Sequence, residues 1–141
     1  LNECITYSLI DPQRETAFGV AKENVSLKNP LSPERSAMRR TLLPSLLEAA
    51  KLNSANFSRV ALFELGPVFL PKAGERLPEE PRRIGMVLVG RRNAEAWDDP
   101  QGVTPTDVDF FDLKGVIEHL LGGLHLSEVG FSLATGVAWL H

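Results

Sequence analysis

Hydrophobic and polar positions follow a spacing of two residues in some parts of this chain and a spacing of three or four in others. Each change of spacing marks the start of another predicted strand or helix. Ile5, Tyr7 and Leu9 alternate with smaller or polar residues, which predicts a strand over residues 3–10. From residue 41, leucines and alanines recur at spacings of three and four, which predicts a one-faced helix over residues 41–53. Strand and helix are therefore both expected early in the chain.

The second half of the pattern predicts a hairpin and another helix. Residues 60–69 are almost all apolar, as in a strand covered on both faces, with a bulge or an edge expected at Pro67. A turn-rich connection leads into residues 83–90, which should run antiparallel to that strand. Asp109 is expected to cap a helix, with Asp112 in a capping-box position.

Shorter elements complete the order. Asp11 is expected to cap a helical turn over residues 12–18, and Trp97 to hold down the loop over residues 91–105. Short strands are predicted over residues 25–28 and 128–133. The whole order predicts an α+β fold, a mostly antiparallel sheet flanked by helices, in a single domain over residues 1–141.

Charge and cysteine content narrow the class of protein. The chain has 15 basic and 18 acidic residues, which disfavours a dedicated nucleic-acid-binding module. The single cysteine, Cys4, excludes an internal disulfide and suits a reducing compartment, so the cytoplasm is expected. No apolar run approaches the roughly 20 residues that cross a bilayer. The chain starts at Leu1 and stops in an apolar stretch, so we expect a piece of a longer protein.

The usual signatures of catalysis are missing from the sequence. There is no glycine-rich phosphate loop and no nucleophile elbow. His119, His125 and His141 do not have the spacing of metal ligands. We therefore predict no catalytic, cofactor-binding or metal-binding residue in this chain. The arginine doublets that begin at Arg39, Arg82 and Arg91 are predicted to be solvated or ion-paired rather than bound to phosphate.

Glu64 is the exception in the apolar strand. A carboxylate buried there must be paired or neutralised, and Arg39, just before the helix, is the candidate partner. The hypothesis is an Arg39–Glu64 ion pair that holds the helix to the strand. The alternative is that Glu64 points to solvent from an edge strand.

Several short blocks, taken together and in order, resemble the β chain of bacterial phenylalanyl-tRNA synthetase. The resemblance covers nearly the whole chain, and each block alone is weak. The blocks are Ile5-Thr6-Tyr7-Ser8, Asn29-Pro30-Leu31-Ser32, Met38-Arg39 with Leu42-Leu43-Pro44, Leu62-Phe63-Glu64-Leu65-Gly66 with Val68-Phe69, Phe111-Asp112-Leu113-Lys114-Gly115-Val116-Ile117-Glu118, and Trp139-Leu140-His141.

The resemblance implies a fold like the class II synthetase catalytic core, packed against a catalytic α chain. It implies a cytoplasmic enzyme of two α and two β chains that joins phenylalanine to tRNA, with ATP and magnesium used by the whole enzyme and no cofactor in this segment. Asn29, Pro30, Arg39 and Glu64 would be structural residues of the segment.

One departure from active class II cores decides the expected role. An active core has an arginine that binds ATP phosphate where this chain has Leu70, and β chains commonly have an arginine where it has Pro67. Leucine cannot neutralise a phosphate. A non-catalytic structural module that binds the α chain is therefore expected. The alternatives are an active adenylate-forming core with its other motifs beyond residue 141, and an RNA-binding module.

Overall fold

A computed structural model describes residues 1–19, 23–99, 104–126 and 128–133. The strands and helices within those ranges give an α+β fold. In chain order they are β1 (Asn2–Glu3), β2 (Leu9–Ile10), α1 (Pro12–Thr16), a 3₁₀ turn (Pro33–Arg35), β3 (Ala37–Met38), α2 (Leu43–Ser54), β4 (Arg59–Pro67), β5 (Arg82–Gly90) and α3 (Phe110–Gly123).

The main sheet has the strand order β1-β4-β5. β4 and β5 are antiparallel, with Arg59 opposite Gly90 and Pro67 opposite Arg82, so the predicted hairpin is confirmed. β1 runs parallel to β4, which makes this sheet mixed rather than wholly antiparallel. A second, two-stranded sheet pairs β2 with β3 in antiparallel fashion.

The hydrophobic core lies between α2 and the β4–β5 hairpin. Leu42 precedes α2, and Leu46 and Ala50 follow at the spacing of successive turns, so all three reach the same side and are buried. Val60 and Val87 cover them from the sheet. The predicted apolar helix is therefore confirmed, beginning two residues later than expected.

The strand expected over residues 3–10 is wrong as one element. The chain pairs with β4 only at β1, and β2 belongs to the other sheet. The cause lies at Thr6, whose backbone N–H donates to the Glu64 side chain at 3.3 Å instead of to a neighbouring strand. A side chain thus takes the donor that would have continued the ladder.

Other expectations also need correction. Trp97 is almost fully exposed and does not hold down its loop. At Pro67, β4 pairs with β5 but not with β1, so the expected edge is confirmed there. Leu65 is exposed, so the second face of β4 is covered only in part. The strand over residues 25–28 is reduced to a bridge between Ser26 and Ala37, and the described residues 128–133 contain no strand.

Helix α3 begins as predicted and packs differently from α2. The side chain of Asp109 accepts from the N–H groups of Phe111 and Asp112, and that of Asp112 accepts from the Asp109 N–H, which completes the capping box. No residue of α3 is buried, and Phe110 and Phe111 are exposed. The other residues of its apolar stripe, among them Leu113, Ile117 and Leu120, are only partly buried, so α3 adds nothing to the core of buried residues.

Among the described residues, none of the helices is long and apolar enough to span a membrane.

Candidate functional site

A buried ion pair connects the start of the helical segment to the central strand. The Nη1 of Arg39 lies 2.6 Å from the Oε1 of Glu64, and each side chain is only 2 % exposed. The pair predicted from the sequence is therefore present, and Glu64 does not point to solvent. Arg39 follows β3 directly, and Glu64 lies in the middle of β4 between two paired strands.

Thr6 and Pro67 complete the bonding of this pair. The Thr6 hydroxyl donates to Glu64 Oε2 at 2.7 Å and accepts from Arg39 Nη1 at 2.9 Å. Arg39 Nε donates to the Pro67 carbonyl at 3.0 Å. Two buried charges are tolerable only when they are paired and their remaining groups are bonded, and this cluster meets both conditions.

Gly66 provides the space that Arg39 occupies. A Cβ built on Gly66 would collide with Arg39 Nη2 and would lie 3.3 Å from Glu64 Oε1. Glycine is needed here because a side chain would displace the guanidinium, and backbone conformation plays no part. The Glu64-Leu65-Gly66 sequence therefore carries the ion pair and its space together.

Glu15 is a second buried carboxylate, and no pattern in the sequence predicts its burial. It is 1 % exposed, and its Oε1 accepts from the N–H groups of Arg40 at 2.7 Å and Thr41 at 3.1 Å. Its Oε2 accepts from Asn24 Nδ2 at 2.7 Å. An acidic residue in the first turn of a short helix is ordinary surface sequence, and only tertiary contacts reveal this role.

The remaining predicted structural residues lie outside the buried cluster. Asn29 and Pro30 are both exposed, in a bend before the 3₁₀ turn. Neither contributes a hydrogen bond to Arg39 or Glu64. The structure thus brings together two of the four residues and adds Thr6 and Glu15 to the buried polar set.

Leu70 is the residue that the resemblance sets against the phosphate-binding arginine of active class II cores. Its N–H donates to the Glu79 carbonyl at 2.9 Å, and its carbonyl accepts from the Glu79 N–H at the same distance. Its side chain is partly buried and packs against the hydrophobic core. Arg39 reaches this stretch through Pro67 and through its carbonyl, which accepts from the Phe69 N–H at 2.8 Å. Its guanidinium is already bound to Glu64.

The thiol beside the cluster, that of Cys4, is not activated as a nucleophile. Burial raises the pKa of the Cys4 thiol above its ordinary value of 9.0, and the nearby charges of Glu64 and Glu3 add to the effect. A thiol with a raised pKa is a weak nucleophile. His119 and His125 are exposed, and His141 lies outside the described residues. Within the described ranges, no three His, Cys, Asp or Glu side chains are grouped to hold a metal ion.

An open groove lies beside the buried cluster. It has a volume of about 400 Å³ and is bounded by residues 5–11, the 3₁₀ turn and α2. The guanidinium carbon of Arg35 stands 3.9 Å from the centre of the Tyr7 ring at its rim. Arg14 and Glu48 form an exposed ion pair across it.

Comparisons with known proteins agree on one family. The family profile described as "Phenylalanyl tRNA synthetase beta chain CLM domain" matches residues 1–141. The chain is similar to the phenylalanine–tRNA ligase beta subunit of Carboxydothermus hydrogenoformans, with 38% identity over 147 residues that cover 100% of this chain and 18% of the relative. The corresponding subunit of Bacillus subtilis is 38% identical over 130 residues, covering 91% of this chain and 16% of the relative. The chain thus spans less than a fifth of the length of these relatives.

Proposed function

Because this chain belongs to the phenylalanyl-tRNA synthetase beta chain family, we propose that it is a non-catalytic structural module that binds the catalytic α chain. Its core would hold the module in one shape, and its exposed apolar surfaces would meet the rest of the enzyme. The name beta subunit, which the relatives carry, itself implies a partner subunit.

The proposed non-catalytic role rests on the position and the contacts of Leu70. This residue occupies the position at which the resemblance to active class II cores would require an arginine for ATP phosphate. Its backbone is paired with Glu79, and its side chain packs into the core. The arginine that approaches this stretch, Arg39, is neutralised by Glu64 and is 2 % exposed, so it cannot serve a phosphate.

The catalytic and cofactor-binding residues that this module is proposed to lack would lie in other parts of the whole enzyme. By family membership we propose that it is a cytoplasmic assembly of two α and two β chains, and that it attaches phenylalanine to tRNA with ATP and magnesium. The segment itself would bind neither cofactor. A class II synthetase-like arrangement of the sheet belongs to the same proposal, and the central β4–β5 hairpin under α2 is compatible with it.

The test is phenylalanine-dependent ATP–pyrophosphate exchange with three purified samples: the full-length beta subunit carrying this chain, its partner subunit, and the two assembled. We expect exchange by the assembly and none by the beta subunit alone. Exchange by the beta subunit alone would overturn the proposal.

A variant of Leu70 makes the same test sharper. Leu70→Met keeps an apolar side chain of similar volume in the core, so the exchange rate of the assembled enzyme should stay within about twofold. A loss of tenfold or more, with assembly intact by gel filtration, would mean that Leu70 contacts the reaction and would contradict a purely structural role.

A further inference from the structure

The groove beside the buried cluster has an apolar rim that the core does not use. Ile5 is 90% exposed, and Tyr7 and Leu52 are each 67% exposed. All three line the same cavity of about 400 Å³. Single exposed apolar residues are normal on a protein surface, whereas several around one concavity are typical of a binding site.

The rim is held in place from the inside. Thr6 is held by its bonds to Glu64 and Arg39, which anchors the segment that carries the exposed side chains of Ile5 and Tyr7. On the helical side, Leu46 and Ala50 are buried in the core while Leu52 is turned out of it. The surface is therefore preorganised, which lowers the cost of binding.

The charged residues that line the groove indicate what kind of partner could bind there. Its lining contains four carboxylates against two arginines. Arg14 and Glu48 neutralise each other in their ion pair, which leaves three carboxylates against Arg35, whose guanidinium lies over the Tyr7 ring. Glu34 is exposed, and a hydrogen bond from Ser32 lowers its pKa, so it is charged at neutral pH. Such a groove repels phosphates and attracts lysine or arginine.

From the apolar rim and this charge we propose that the groove docks a polypeptide segment of the partner subunit, with an apolar side chain flanked by Lys or Arg. The inference rests on the proposed role as a subunit-binding module and assigns that role to one surface. The apolar side chain would cover Ile5 and Leu52, and the basic groups would meet Glu34 and its acidic neighbours.

Assembly of the full-length beta subunit with its partner subunit tests the proposal. The double variant Ile5→Ser/Leu52→Ser removes apolar contact from the rim, and we expect the Kd of assembly to rise at least tenfold. Glu34→Lys should raise the Kd several-fold and reduce its dependence on salt. The matched control is Leu77→Ser, which removes an exposed leucine that does not line the groove and should leave the Kd unchanged.

The exposed face of α3 separates failure of this inference from failure of the proposed function. If Phe111→Ser prevents assembly while the groove variants do not, the groove assignment is wrong and the subunit-binding role stands. If none of these variants changes assembly, the groove assignment is wrong, and the exposed face of α3 takes no part in α-chain binding either. If the groove variants weaken tRNA binding by the assembled enzyme and leave assembly intact, the groove takes nucleic acid and the inference fails.

The chemistry of the occupant can be read directly. A photo-crosslinking amino acid at position 52 of the assembled enzyme should attach to a peptide of the partner subunit that contains an apolar residue beside Lys or Arg. Attachment to an acidic peptide, or to another part of the beta subunit, would contradict the assignment.

Discussion

Helices α2 and α3 both have an apolar stripe, yet only α2 lies over a sheet. Leu46, on the stripe of α2, is fully buried against the hairpin, whereas Phe111, at the start of α3, is 74% exposed. α3 is instead tied at its first turn, where Arg92 bonds Asp109 and Asp112 at 2.9 Å each. Both helices form, but only α2 contributes buried residues to the core.

The largest predicted effect concerns the charge cluster beneath α2. Arg39→Met should lower the free energy of unfolding by about 3–5 kcal/mol, because it leaves Glu64 buried without a partner. Urea denaturation of the chain measures this change. The double variant Arg39→Met/Glu64→Gln removes the orphaned charge and should recover part of the loss; a loss below about 1 kcal/mol in the single variant would contradict a paired, buried Glu64.

Truncation of one apolar residue in each helix tests the comparison itself. Leu46→Ala should cost about 2–5 kcal/mol, since it opens a cavity in the core. Phe111→Ala removes a larger but exposed side chain and should change stability by less than about 0.5 kcal/mol. Thermal unfolding of the two variants measures the loss of stability in each, so the two losses can be compared. Equal losses would mean that α3 is packed against the rest of the chain.

Replacing glycine by alanine should destabilise the chain at one position and stabilise it at another. A Cβ on Gly85 would collide with Leu46 and lie 3.3 Å from the Leu42 Cβ, so Gly85→Ala should cost about 1–3 kcal/mol. In α3, a Cβ on Gly115 would meet nothing within 4 Å, and Gly115→Ala should stabilise the helix by about 0.5–1 kcal/mol. The denaturant midpoints of the two variants measure both changes in stability. If Gly115→Ala destabilised the chain, another part of the protein would have to contact α3 at this position.

The smallest effect is the pH dependence of the α3 cap. The N–H of Asp109, and then Arg92, hold the pKa of Asp112 below its ordinary value of 3.8. A depressed pKa means that the cap stabilises the helix above about pH 4 and that this stabilisation is lost as pH falls through the lowered pKa. NMR titration of the Asp112 carboxylate measures it. The Arg92→Gln variant should titrate at higher pH than the parent, and identical curves would exclude the arginine as a cause.

Local sequence predicted the elements that depend on local chemistry. The α3 capping box, the α2 stripe and the β4–β5 hairpin are all confirmed, because capping residues and apolar spacing act within a few residues. The Arg39–Glu64 pair could be predicted because a carboxylate in an apolar strand requires a cation. This ion pair was the part of the candidate site that the sequence could predict.

What escaped prediction depends on distant partners. Glu15 is buried by N–H groups 25 and 26 residues away, and nothing near it in the sequence distinguishes it from a surface glutamate. The break in the first strand has the same origin, since Thr6 bonds to a side chain 58 residues away. Backbone and side-chain donors compete only once the chain has folded, so no periodicity records the outcome.

The space at Gly66 also constrains how this sequence can change over time. Because Arg39 Nη2 lies too close to the position of the missing Cβ, a larger residue at position 66 should destabilise the fold for as long as the arginine remains. Once Arg39 is replaced by a shorter residue, Gly66 becomes free to vary. We therefore expect the two positions to change together, with replacement of Arg39 before, or together with, replacement of Gly66.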